Sequence, residues 1–118
     1  MNNKFKTLKV WQKAMDLTVM VYESLQAFPT EEKFDLSRQL RRCAVSIPAN
    51  IAEGSGRNSD NEFHHFLGVA NGSLFELETE LILAHRLNFI ADTSFAVLET
   101  QLNEVQKMLY ALKTSLKK

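Results

Sequence analysis

From Phe63 to Ala84 the chain sets apolar residues at alternating steps of four and three: Phe63, Leu67, Ala70, Leu74, Leu77, Leu81 and Ala84. Such spacing follows the turn of an α-helix, and over three heptads it makes an a/d-type seam. A second series follows at Phe95, Leu98, Leu102, Val105, Leu109, Leu112 and Leu116. A strand cannot use this spacing, because its side chains change face at every residue, and no segment sustains that alternation. Helices with a one-sided apolar stripe draw most of their stability from packing, so these two require partners.

Two further segments supply them. Residues 8–27 carry Val10, Ala14, Leu17, Val21 and Leu25 in one stripe, with Trp11, Met15 and Tyr22 beside it. Phe28-Pro29-Thr30 closes this helix, since the residue before a proline is pushed out of the α region. Thr30 is placed to cap the next helix, with Glu31 and Glu32 at its positive end and Lys33 where a glutamate would complete a capping box. That helix is expected from about Glu32 to Gly54, on the stripe Leu36, Leu40, Cys43, Ile47 and Ile51. Pro48 lies inside it, at a cost of roughly 3 kcal/mol in a regular helix. The apolar phase runs unbroken past Pro48, which predicts a kink rather than a break. Asn50 is expected to bond the backbone that Pro48 frees. Gly54-Ser55-Gly56 ends the segment with residues tolerant of left-handed backbone.

Ser59-Asp60-Asn61-Glu62 reads as a capping box opening the third helix. Asn88 to Ala91 is a short connection, and Asp92, Thr93 and Ser94 offer caps for the fourth helix. The expectation is an all-α, antiparallel, up-down-up-down four-helix bundle, one domain over residues 1–118, with a kink at Pro48 and crossing angles near ~20°.

Composition agrees. The chain has 118 residues, 45% apolar and 24% charged, with only 4 Gly and 2 Pro. That excludes a disordered tail and a turn-rich β fold. Lys plus Arg and Asp plus Glu number 14 each, so a generally basic nucleic-acid glove is excluded while a local basic patch is not. One cysteine excludes an internal disulfide framework and fits a reducing compartment. No apolar run approaches the ~20 residues of a membrane span. The N-terminal MNNKFKTLKVWQKAMD has no signal-peptide core. A soluble, cytoplasmic domain is expected.

Polar residues accompany the seams in phase. Gln39, Arg42, Ser46, Asn50, Glu53 and Arg57 follow one another at helical steps, and the third helix brings Asn71, Ser73, Glu76, Glu78 and Glu80. They read as a solvated face, as a network fixing helix register, or as a site. The network reading names Arg42, Ser46, Asn50, Glu53, Asn71, Ser73 and Glu76. No metal or cofactor is expected. A di-metal bundle needs two Glu-x-x-His motifs, and only Glu62–His65 supplies one. His64 and His65 point roughly 100° apart on a helix, and His85 is far along the axis. Cys43 reads as a small buried thiol. Ser46 lacks a nucleophile elbow, and there is no Walker or Rossmann motif. No catalytic residue is expected. Gly68 and Gly72 each weaken a helix by roughly 1 kcal/mol relative to alanine. Close approach of another helix, in the bundle or in a second subunit, would offset that. Among Trp11, Phe66, Phe75 and Phe89, some are expected at the surface as an association site.

Charge is unevenly divided. Residues 1–57 hold nine basic and six acidic side chains, residues 58–118 five and eight. This reads as complementarity within the bundle, or as opposite faces that favour head-to-tail rings and phosphate contact. The nucleic-acid candidates are Lys9, Lys13, Arg38, Arg41, Arg42 and Arg57.

Phe5-x-x-Leu8-x-Val10-Trp11-Gln12-Lys13-Ala14, Gln39 through Gly54 with its Ser46-Ile47-Pro48-Ala49-Asn50-Ile51-Ala52-Glu53-Gly54 core, and the Phe63 to Thr79 stretch together resemble the four-helix-bundle family encoded in intervening sequences of bacterial 23S rRNA genes, often labelled S23. The resemblance covers nearly the whole chain. It implies an antiparallel bundle assembled as a ring-shaped homopentamer. It also implies a distant similarity to accessory proteins of diversity-generating retroelements, which bind a reverse transcriptase and nucleic acid. The expected function is a non-enzymatic, homo-oligomeric interaction module associated with RNA or an RNA-handling protein. The alternative is a structural, protein-binding bundle with no nucleic-acid contact. No membrane and no small-molecule substrate are expected as partners.

Overall fold

The apolar periodicities become helices in a computed structural model that describes residues 4–32 and 35–116. Its α-helices are α1 (Lys9–Ser24), α2 (Leu36–Ser55), α3 (Asp60–Arg86) and α4 (Asp92–Ser115), with short 3-10 turns at Lys4–Thr7, Leu25–Ala27 and Thr30–Glu32. No strand occurs among the described residues. The long dimension of 44 Å is close to the roughly 40 Å length of a 27-residue helix.

Residue pairs fix the direction of each helix. Across α2 and α3, Gly54 meets Phe63 and Phe66, while Cys43 meets Ser73. Across α3 and α4, Gly68 lies by Lys113 and His85 by Asp92. Lys13 pairs with Glu104, while Met20 and Ser24 lie by Val97 and Thr93. Thr18 reaches Ala44, and Leu25 lies near Ser37. In every pair one number falls as the other rises, so each helix runs antiparallel to its neighbours, and α1 closes against α4. One cluster of buried side chains runs through all four helices. Leu17, Leu40, Ile47, Leu74, Leu102 and Leu109 are almost fully excluded from solvent, and each contributes roughly 1.5–3 kcal/mol by burial. No helix among the described residues is long and apolar enough to cross a membrane.

Helix ends differ from the sequence reading in several places. Thr30 starts a 3-10 turn rather than capping α2, which begins at Leu36 after Asp35. Residues 33 and 34, and with them the reading placed on Lys33, lie outside the described residues. At α4 the cap position is Ala91 and makes no side-chain bond, while Asp92 is already helical and binds His85 at 2.7 Å. The box at Ser59 forms: its Oγ accepts from the Glu62 N–H at 3.2 Å. Glu62 Oε1 in turn accepts from the Asn58 N–H at 3.3 Å.

Pro48 is buried inside a continuous α2. A proline at 48 leaves the carbonyl of residue 44 without its helical donor. Thr18 of α1 supplies a shared one: its single hydroxyl proton lies between Ala14 O of its own helix at 2.8 Å and Ala44 O at 3.1 Å. Asn50 therefore does not have the role expected of it; its amide donates to Ser46 O at 2.8 Å and Ser46 Oγ at 3.0 Å.

The glycines also act differently. No glycine has positive φ; among the described residues the left-handed one is Asn88, at φ 64°, between α3 and α4. Gly54 is required by proximity: a Cβ there would lie 2.7 Å from Phe66 Cβ and 2.9 Å from Phe63 Cδ1. By contrast, a Cβ at Gly72 would meet nothing within 4 Å, and one at Gly68 only the end of Lys113 at 3.6 Å. The close helix expected at Gly72 is not supplied by the bundle itself.

Candidate interaction groove and polar seam

Helical spacing in α2 brings Arg38, Arg41 and Arg42 to the α1 side, where they share a groove with Tyr22; Arg42 also borders the cleft toward α3. Tyr22, Val45, Ser46 and the three arginines line a groove of about 420 Å³. A neighbouring hollow of about 400 Å³ continues it past Leu25, Gln26, Ser37 and Arg41. Arg38 and Arg42 are exposed, Arg41 is half-buried, and no ion pair among the described residues holds Arg38 or Arg42. Ser37 is only 1% exposed and its Oγ has no hydrogen-bond partner. Tyr22 stays 42% exposed, with Met15, Val19 and Val45 also open to solvent. The groove therefore offers guanidinium donors, a hydroxyl and an aromatic face, a set that suits phosphate and a stacked ring.

The other basic candidates lie elsewhere. Lys9 is exposed at the start of α1. Lys13 is drawn to α4 by Glu104 at 3.0 Å. Arg57, beyond the end of α2, pairs with Glu53 at 2.7 Å and lies over the Phe66 ring at 4.8 Å. The six candidates are thus one cluster of three and three dispersed side chains.

Between α2 and α3 part of the expected polar network forms. Ser46 Oγ and Ser73 Oγ are 2.7 Å apart, Asn50 donates to Ser46, and the Cys43 thiol donates to Ser73 O at 2.8 Å. Arg42 and Glu76 border the same cleft, of about 470 Å³, with Gln39, Cys43, Ser46 and Ser73. Glu53 instead turns to Arg57 at the surface, and Asn71 joins none of these bonds. Two members are new relative to the sequence reading. Cys43 belongs to the polar seam as well as to the apolar stripe. Glu80, one turn beyond Glu76, is 5% exposed. Its position in phase with Ser73 and Glu76 is the signal that could have found it. Burial, then its hydrogen bond to the Glu76 carboxylate and that group's charge, push the Glu80 carboxyl up to about 7. Burial, then the charges of Glu76 and Glu80, push the Cys43 thiol up to about 12. A neutral thiol of this kind is a poor nucleophile.

Among the aromatic residues, Phe75 is 49% exposed. Trp11 stacks edge-to-face with Phe5 at 5.2 Å between centroids, and Phe89 packs at a tilt against Phe28 at 5.4 Å. Phe66 is half-buried beneath Arg57.

The fold is that of a small all-α four-helix bundle, with a basic groove on one side and a polar seam on another. The 23S rRNA-intervening sequence protein family matches residues 6–111, and the chain belongs to that family. Among solved structures it is similar to a protein with unknown function of the S23 ribosomal protein family from Bacteroides thetaiotaomicron. The two share 26% identity and a TM-score of 0.82, over 89% of this chain and 95% of that one. No curated protein matches.

Proposed function

We propose that the protein is a non-enzymatic, self-associating bundle that docks RNA on the face between α1 and α2. The observation that carries this reading is the convergence of Arg38, Arg41 and Arg42 on Tyr22 beside the buried Ser37 hydroxyl. Guanidinium groups take phosphate oxygens two at a time, and an exposed tyrosine ring stacks on unpaired bases. With a net charge of zero, such binding relies on a local basic face of this kind. Self-association in a ring is supported by the family resemblance, by the exposed Met15, Val19 and Val45, and by the open helix surface at Gly72. The lone free thiol fits a reducing, cytoplasmic setting.

Fluorescence anisotropy with a structured RNA at several salt concentrations tests the reading. Affinity should fall as salt rises. Replacing Arg38 and Arg42 by alanine should weaken binding across sequences and lower the salt slope by about 1 for each phosphate no longer neutralised. Absence of binding at low salt refutes it. Light scattering should give a mass several times 13.5 kDa; a monomer refutes the ring. The apolar side chains around Tyr22 favour a second reading, a protein-binding bundle without RNA. In that case the arginine variants alter assembly mass or partner binding and leave RNA behaviour unchanged.

A further inference from the structure

On α3, Glu76 and Glu80 stand one turn apart and face Cys43 of α2, with one donor atom from each within 4.8 Å of the other two. Cys43 and Glu80 are buried at 5% exposure each. Glu80 turns one oxygen toward Glu76, yet Oε1 has no hydrogen-bond partner. Buried carboxyl oxygens are normally satisfied, so an orphan asks for an explanation. The cleft along α2 and α3 opens at Cys43 and Glu76 and gives a path inward.

We infer that Cys43, Glu76 and Glu80 form a site for one divalent transition-metal ion, of the borderline softness typified by Zn²⁺, held between α2 and α3. Bundle proteins build metal sites in this way, from inward side chains of facing helices. One thiolate with two carboxylates suits zinc or cobalt; calcium and magnesium take oxygen ligands in larger number. Tetrahedral zinc, with Zn–S about 2.3 Å and Zn–O about 2.0–2.2 Å, needs donors roughly 3.3–3.6 Å apart. The widest pair must therefore close by up to about 1.2–1.5 Å from the 4.8 Å limit, and Glu76, being exposed, has the freedom to do so. The fourth position faces the cleft, where water can enter. Two carboxylates, one thiolate and a dipositive ion leave a single negative charge, which the Arg42 guanidinium at the cleft offsets. Binding releases the thiol proton and the proton shared by the carboxyls to solvent, so affinity rises with pH.

Cobalt titration of reduced, chelator-stripped protein tests the site. The expected result is saturation at one Co²⁺ per chain, with a near-ultraviolet thiolate-to-cobalt charge-transfer band that Zn²⁺ abolishes by competition. Cys43→Ser should remove the band. Glu76→Gln, a change at an exposed position that leaves folding intact, should weaken affinity beyond the roughly 10–100-fold expected when a residue only orients a ligand. Zn²⁺ should raise the melting temperature of the wild type and leave that of Cys43→Ser unmoved. Absence of the band overturns the inference. So does cobalt binding that persists unchanged in both variants and disappears when His64 and His65 are replaced, which would mark a surface histidine site.

Discussion

Thr18 Oγ1 shares its proton between Ala14 O at 2.8 Å and the carbonyl of Ala44 at 3.1 Å, and the Ala44 carbonyl is the one Pro48 deprives of its helical N–H. A side chain of α1 thus completes the hydrogen bonding of α2 and ties the proline to the helix pairing. Thr18→Val should cost about 1–2 kcal/mol, since it leaves a buried acceptor short of a donor. In a Pro48→Ala background residue 48 regains its N–H, and the same change should cost markedly less. A double-mutant cycle by chemical denaturation measures the coupling. Equal costs in both backgrounds would show that Thr18 does not serve the proline.

Gly54 and Gly72 should respond in opposite directions to alanine. At Gly54 the new methyl meets Phe66 Cβ at 2.7 Å and Phe63 Cδ1 at 2.9 Å. The strain, about 1–3 kcal/mol for overpacking, exceeds the gain of about 1 kcal/mol in helix propensity, so Gly54→Ala destabilises. At Gly72 the methyl meets nothing in its own chain, and the propensity gain of about 0.5–1 kcal/mol should appear as higher stability of the isolated chain. Thermal melts at low protein concentration check both. If Gly72→Ala lowers the mass seen by light scattering, the open surface is an intersubunit contact.

The helices are legible because burial follows period. Every residue of the α3 seam from Leu67 to Ala84 is buried. Helix starts are less so: Thr30 and Asp92 have the chemistry of caps, but where the chain turns depends on tertiary packing that no local rule contains. Pro48 illustrates the same limit. Its consequence for Ala44 can be written from the sequence, but Thr18 is 26 residues away, and only the α1–α2 register brings it there. The arginine cluster is partly readable from the spacing of Arg38, Arg41 and Arg42 on one helix. Lys13 and Arg57 are not separable from it, because their acid partners depend on which helix packs where and which rotamer wins. Glu80 shares the helical phase of Ser73 and Glu76, but a run of alternating glutamates looks like a solvated face until the bundle shows which of them turns inward.

The hydroxyls of Ser46 and Ser73, 2.7 Å apart, join α2 to α3 at the middle of their interface. The Ser46 change strands the Ser73 hydroxyl and removes one of the two acceptors that Asn50 uses, and the Ser73 change leaves Ser46 Oγ only its bond from Asn50. Either should cost about 1 kcal/mol. The double change removes both ends together, so its cost should fall short of the sum by about 0.5 kcal/mol or more. Urea denaturation of the four proteins measures this, and strict additivity would show that the pair is incidental.

Glu80 should make stability depend on pH near neutrality. Its carboxyl is raised from the ordinary 4.5 to about 7 in the folded protein. Between those values the unfolded chain has released the proton while the native state still holds it. The native state then binds more protons, so stability falls as pH rises through this window. Below it, both states are protonated and stability is at its full value; above it, both are ionised and the penalty of burying the charge is complete. The groups facing Glu80 do not reverse the sign. Cys43, pushed up to about 12, stays neutral throughout, and Glu76 adds like charge. With a chelator present, wild-type stability should drop by on the order of 1–3 kcal/mol between pH 5 and 8 beyond what Glu80→Gln loses over the same range. The comparison concerns slopes, since the glutamine amide shifts the baseline by its own burial. Parallel curves for the two proteins would mean that Glu80 titrates as an ordinary surface acid and that its carboxyl is not held neutral between α2 and α3.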